Sequence, residues 1–522
     1  MWSRYVNNSF AFWCILLFSF KLTVSEGLAE TSASQSLRQK VRAYRTQNEL
    51  AILNELIELL AVPNVSANKD NILKNANYLT AMLQKRGLKT RLLQVDESAP
   101  VVFGELNIPT ATKTIIVYMH YDGQPVNAEK WASEPWRPVL REKPLEQGGK
   151  EISLTQAHPP INGEARIYAR SASDDKSPIV AMLTAIDALR AAEIPLSVHL
   201  KFFLEGEEEA GSRHLSAILK KYSNLLQADV WIFCDGPVHQ TRRMQVVFGA
   251  RGVTGLRVTT YGAVRPLHSG HYGNWAPNPI MLLTHLLDSM RDPVGKILIQ
   301  DFYDDVRPLT ETERQAIAAC PDIDADLRHE LGLAWTEGNG KRLEEQIMLP
   351  ALNLRAIQSG GAAARNAIQT EATAVLGFRL VPDQTLAKVR ERVETHIRNQ
   401  GFHIVFDTPD MATRRKYPKI VKLHWGNGYP PLRTSMDLAV SQALVQVVEK
   451  AVRVPIVKQP MLGGSLPLFI FEQTLHTPVI IVPMVNHDNN QHAENENLRV
   501  QNLWDGIEVY ASILARLGQV WK

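Results

Sequence analysis

The stretch Phe202-Phe203-Leu204-Glu205-Gly206-Glu207-Glu208-Glu209-Ala210-Gly211-Ser212 decides how this chain is read. An apolar run ends in four glutamates around one glycine, and a helix is expected to begin at Ala210. Adjacent carboxylates repel, so such a cluster either stays solvated or titrates upward. A generic acidic run is a solvated turn. This one closes a run that reads as a buried strand, and open α/β sheets place ligands at the C-terminal ends of their strands. His120, Asp122, Asp174, Asp235 and His492 occupy comparable strand-end or loop positions. A cation site accounts for all of them together.

Working outward, the runs 114–119, 198–204 and 230–233 are continuous and apolar, as strands buried on both faces are. Helical spacing marks 50–60 (after a capping box at Thr46-Gln47-Asn48-Glu49), 70–86 and the stretch from Pro178 to Ala192. Alternating strands and helices predict an α/β fold, a mainly parallel sheet with helices on both faces. After Pro237 the pattern changes. Strands at 246–248, 254–261, 372–380 and 403–406 and helices at 279–290 and 385–399 predict an inserted α+β unit at 239–428. The first domain is then expected in two parts, 30–238 and 429–522, closed by a helix with Leu503, Ile507, Tyr510, Leu514 and Leu517 as its core stripe.

A chain of 522 residues exceeds one ordinary core. Its 45% hydrophobic and 21% charged residues are globular values, and a net charge of +3 carries no nucleic-acid footprint. Arg4, the apolar stretch 10–24 and Gly27-Leu28-Ala29 read as a signal peptide at 1–29, with an uncleaved N-terminal anchor as the alternative. The protein is therefore expected to be secreted or periplasmic, with no membrane association after signal removal. Cys14 would leave with the signal. Cys234 and Cys320 make no disulfide framework, and Cys234 reads as a packed core thiol.

Taken singly, each motif has a bland reading. His120-x-Asp122 fits a structural hydrogen-bonded pair, Asp174-Asp175 before Lys176 a helix cap, and His492 a solvated loop residue. Their order along the chain is specific. His120-x-Asp122, Ser173-Asp174-Asp175-Lys176, Glu205 to Ser212, Asp235, His268-Ser269-Gly270 and His492 resemble the M20 family of metallopeptidases. The Glu-Glu-Ala-Gly-Ser run and Gly463-Gly464-Ser465-Leu466-Pro467 resemble its carnosine-dipeptidase-like branch most.

The resemblance implies two divalent metal ions, zinc first, with manganese or cobalt as alternatives. Asp174 would bridge them. His120 and Asp235 would complete one site, and Glu209 and His492 the other. Glu208 would be the general base, and Asp122 would orient the His120 ring. The Asp174-Asp175 peptide would be cis. The two-part domain at 30–238 and 429–522 would be catalytic and the 239–428 insert a lid and dimerisation domain, from which His268 would stabilise the oxyanion across a homodimer; its bland reading is a lid histidine bonded to local backbone. Arg379, otherwise a surface salt-bridge residue, would bind a substrate carboxylate with help from Gly464 and Ser465. Ser171 and Ser177 depart from glycines common in the family, and Asn489-Asn490-Gln491 departs from its Asp and Gly. Glu207 is expected to point outward.

The function so implied is a two-metal hydrolase of dipeptides, short peptides or N-acyl amino acids carrying a free carboxylate. Two alternatives stand beside it: a non-catalytic binding or scaffold relative of the same fold, and an exported solute-binding protein. The first is expected to have lost Glu208 or a ligand, and the second leaves the metal-type side chains unexplained.

Overall fold

The computed structural model describes residues 35–155, 157–360 and 366–522, so the expected signal segment 1–29 and Cys14 lie outside the described residues. Two compact units emerge. The first takes the residues up to Val246, Asp437–Ile456 and Ile481–Lys522; the second takes Val247–Met436 and Val457–Ile480.

The first unit opens with helices α1 (Glu49–Leu60) and α2 (Lys69–Lys85). Strands β1 (Lys89–Leu93), β2 (Val101–Leu106) and β3 (Thr114–His120) follow, then β4 (Val139–Arg141), β5 (Arg166–Tyr168) and helix α3 (Lys176–Ala191). Strand β6 (His199–Glu205), helix α4 (Leu215–Lys221) and strand β7 (Val230–Phe233) complete the run. These strands stand in their sheet in the order β1-β2-β6-β3-β7, and the sheet continues beyond β7. The β1–β2 and β2–β6 pairs are antiparallel, whereas β6, β3 and β7 run parallel with Tyr118 opposite both Phe203 and Phe233. Residues 115–120 of β3 and 230–233 of β7 are all buried, as the unbroken apolar runs require. Helix α3 is almost wholly buried because it packs on both α1 and the C-terminal helix Val500–Val520. Cys234 is free and buried.

The second unit is built on strands β8 (Gly252–Tyr261), β9 (Ala351–Gln358), β10 (Glu371–Leu380), β11 (His403–Val405) and β12 (Ile420–Trp425) in the order β9-β10-β8-β12-β11. Helices α5 (Pro279–Met290) and α6 (Leu386–Asn399) supply Leu283, Leu286, Met290, Val389, Val393 and Ile397 to its core. Along β10, Ala372, Ala374, Leu376, Phe378 and Leu380 are buried in alternation with half-buried residues, so Arg379 projects from the other face of the sheet.

Local chemistry moves two boundaries. The capping box at Thr46 does not form, because residues 35–47 are already helical and Asn48 donates through N and Nδ2 to the Tyr44 carbonyl. A capping box does form at Thr310 and Glu313. No helix starts at Ala210. Glu208–Ala210 is a single tight turn, Gly211 and Ser212 take φ of 85° and 48°, and α4 begins at Leu215. Two left-handed residues in succession break any helix there.

Candidate metal centre

Parallel strands β6, β3 and β7 end side by side, and their ends carry the chemistry. His120 is the last residue of β3, Glu205 the last of β6, and Asp235 lies two residues beyond β7. The turn after Glu205 carries Glu208 and Glu209. Asp174 comes from the loop entering α3, and His492 from the loop before Val500–Val520.

The side chains form two candidate ligand sets, each able to hold a metal ion, that share one residue: His120, Asp174 and Asp235 in one, and Asp174, Glu209 and His492 in the other. His120 Nε2 lies 2.8 Å from Asp174 Oδ1 and 4.0 Å from Asp235 Oδ2. His492 Nε2 lies 3.0 Å from Asp174 Oδ2 and 3.3 Å from Glu209 Oε2. The two oxygens of Asp174 thus face different imidazoles. The Asp174-Asp175 peptide is cis.

Asp122 does more than orient a ring. Its carbonyl oxygen lies 3.2 Å and its Oδ1 3.4 Å from His120 Nδ1, which keeps Nε2 for the ligand set. Its carboxylate also accepts the main-chain N–H of Glu208 (3.1 Å) and of Glu209 (3.0 Å). One buried aspartate therefore fixes the histidine and the glutamate turn together. Glu207 does turn away from this cluster, though toward protein rather than solvent: it accepts the Ala99 N–H at 2.9 Å and meets His214 Nδ1 at 2.8 Å.

Two amides that sequence reasoning did not assign also belong here. Gln491 Nε2 donates to Asp174 Oδ2 (2.7 Å) and Gln124 Nε2 to Glu209 Oε2 (2.8 Å). Gln124 stands two residues after Asp122 in the same loop, which is the signal that could have found it. Lys176 is fully buried and donates to the carbonyls of Leu59 and Val62 at 2.9 Å, tying the start of α3 to the end of α1.

Electrostatically the cluster carries an excess of negative charge. Burial, then Asp174, pushes Asp235 up to about 6 and Glu209 up to about 7. Burial, reinforced by Asp235 and Asp174 against the pull of His120, holds Glu208 well above the ordinary carboxylate value. Burial alone would also raise Asp174, but hydrogen bonds from His120 and His492 hold it below its ordinary value. His120 stands well above the ordinary imidazole value: burial opposes its charge, but Asp122 and Asp174 outweigh burial. Among the described residues, imidazoles and amides face Asp174 and Glu209, with no lysine or arginine bonded to either. Carboxylate and imidazole donors gathered around uncompensated buried charge fit divalent cations.

Residues 116–516 match the profile described as Peptidase family M20/M25/M40. The chain belongs to that family. It is therefore a hydrolase of the metallopeptidase class. Among its relatives, the Cys-Gly metallodipeptidase of Schizosaccharomyces pombe is 24% identical over 489 residues, covering 90% of this chain and 96% of the relative. The human Beta-Ala-His dipeptidase is 25% identical, with 81% of this chain and 78% of the relative covered. An M20 family metallo-carboxypeptidase from Sulfolobus solfataricus superposes with a TM-score of 0.70 at 29% identity, covering 90% and 99% of the two chains.

The remaining site residues expected from the resemblance lie in the second unit. Arg379 Nη1 donates to Ser465 Oγ at 2.6 Å, and the Arg251 N–H donates to the Gly464 carbonyl at 3.1 Å. Arg379 has no carboxylate partner among the described residues. His268 is exposed, accepts the Gly270 N–H on Nδ1 at 3.1 Å and lies 4.5 Å from the His271 ring.

Proposed function

We propose that this family member is an exported two-metal exopeptidase of the dipeptidase type, acting on dipeptides, short peptides or N-acyl amino acids with a free carboxylate. The observation that carries the reading is a pair of ligand sets sharing Asp174, with Glu208 beside them and outside both. Asp174, His120 and Asp235 would hold one cation, and Asp174, Glu209 and His492 the other. When bound, such cations polarise the scissile carbonyl and lower the pKa of water from 15.7 to about 7.

Glu208 takes a proton from the attacking water and delivers it to the leaving nitrogen. Because it lies outside both sets, its carboxylate is free to accept that proton and to release it again. Asp122 keeps Glu208 and Glu209 in register through their main-chain N–H groups. Arg379, hydrogen-bonded to Ser465, offers guanidinium N–H groups to a substrate carboxylate, with Gly464 beside it in the same loop. His268 would donate to the developing oxyanion from the second subunit of a homodimer.

Dimerisation through the lid is supported by the edge position of β9, which exposes Leu354 and Ile357, and by exposed Ile280 and Met281 on α5. An apolar edge strand beside an apolar helix face is a surface that pairing with a second copy would cover. Secretion rests on the 1–29 reading alone.

The test is a screen of dipeptides and N-acyl amino acids, each paired with its carboxamide, with and without chelator and with molecular mass measured in solution. Chelator-sensitive cleavage of free-carboxylate substrates by a dimer is expected. Equal rates on the carboxamides would remove the Arg379 assignment, and a fully active monomer would remove that of His268.

A further inference from the structure

One buried carboxylate stands outside both ligand sets and yet holds the loop they share. Glu496 is fully buried, and 322 residues separate it in sequence from Asp174. Its Oε1 accepts the N–H of Ser173, the Oγ–H of Ser173 and the N–H of Asp174, each at 2.9 Å. Its Oε2 accepts the N–H of Ser171 at 2.9 Å and Arg170 Nη1 at 2.8 Å. These five donors fill the acceptor capacity of an ionised carboxylate, roughly four lone-pair sites.

The loop needs such an anchor. Ser171 sits at φ 64°, in the left-handed region that a residue with a Cβ enters at a cost. Ala169 adds an N–H to the Glu496 carbonyl at 3.2 Å, so both backbone and side chain of Glu496 address the 169–174 segment. Arg170 is itself held over the Trp131 ring at 5.2 Å and donates to the carbonyl of Ala493, the residue after His492 in the chain. Glu496 and His492 therefore share one loop, and through Arg170 and Asp174 that loop meets the segment carrying the shared ligand.

We propose that Glu496 is the positioning residue of the metal centre: by gripping the main chain at Ser171, Ser173 and Asp174 it sets the place of the shared carboxylate, and so the affinity of both cation sites. This rests on the two-cation reading above. A glutamine at 496 has the right shape but the wrong chemistry. Only one edge of an amide accepts, so its NH2 group would face either the Ser173 and Asp174 donors or the Ser171 and Arg170 donors.

The experiment titrates the metal-free protein with Zn2+ by calorimetry, for wild type, Glu496→Gln and Glu496→Asp, with circular dichroism and melting curves to establish the folded fraction. Supporting residues behind metal ligands alter affinity by about 10–100-fold when changed. A loss of that size is expected for both Zn2+ sites in folded Glu496→Gln, because Asp174 belongs to both. Folded Glu496→Gln that binds two Zn2+ as tightly as wild type overturns the inference. If Glu496→Gln does not fold, Glu496→Asp decides in the same way, since its shorter side chain keeps the charge but cannot reach all five donors. Failure of both to fold even with Zn2+ present also overturns it, by making Glu496 a support of the whole unit. Wild type that takes up no Zn2+ would instead remove the two-cation reading.

Discussion

Glu207, Glu208 and Glu209 are chemically identical and consecutive, and only their partners separate their roles. Glu207 is engaged by Ala99 and His214, Glu209 faces His492 and Gln124, and Glu208 belongs to neither ligand set. Glu208→Gln should therefore keep its metal and lose turnover, by the 10²–10⁴-fold that general acid–base groups contribute. Metal analysis and kcat on one preparation check this, and near-normal kcat would move the base elsewhere. The residues of the two candidate sets were legible in the sequence because histidines and acids at strand ends and loops follow one another in a specific order. It could not mark Glu496, whose role depends on five donors from a distant loop. Nor could it show that Asp122 caps the glutamate turn, since main-chain hydrogen bonds leave no residue signature.

At the scale of elements, the parallel strands were legible because burial on both faces demands unbroken apolar runs. The turn after Glu209 was not: a helix-like pattern met the left-handed Gly211 and Ser212, and α4 started later than expected. Edge strand β9 was also missed: only Leu352 is buried and 353–358 are exposed in succession, so no buried face marks it as a strand. Helix α3 owes its position to Lys176, whose buried ammonium satisfies two carbonyls at the end of α1. Burial holds that ammonium well below the ordinary lysine value. Lys176→Met keeps the packing and leaves the Leu59 and Val62 carbonyls without this donor. A destabilisation of about 1–3 kcal/mol per acceptor left without a partner is expected. Urea unfolding measures it, and an unchanged midpoint would show that water replaces the ammonium.

For the whole molecule, the charge cluster makes metal-free stability depend on pH with a definite sign. Glu209 and Glu205 stand at about 7 and Asp235 at about 6 in the fold. Unfolded carboxyls titrate near 4. Between those values the native state holds protons that the unfolded chain has released, so stability falls as pH rises. His120, raised well above its ordinary value, acts in the same direction, since its stabilisation is lost as pH rises through its folded pKa. Asp174, lowered, acts oppositely but only at more acid pH. Metal-free protein should thus melt at progressively lower temperature from about pH 5 to about pH 7, and excess Zn2+ should restore most stability at the upper end, where the carboxylates are free of protons. A flat or rising metal-free profile across that window would contradict the arrangement of charge.

The proposed two-cation chemistry requires Asp174 to serve two sites at once, and elemental analysis of purified protein tests that most directly. Wild type should carry about two divalent ions per chain, and Asp174→Asn should weaken retention of both together, because one carboxylate belongs to both ligand sets. Wild type that cleaves dipeptides with only trace metal, or Asp174→Asn that retains both ions as tightly as wild type, would contradict it.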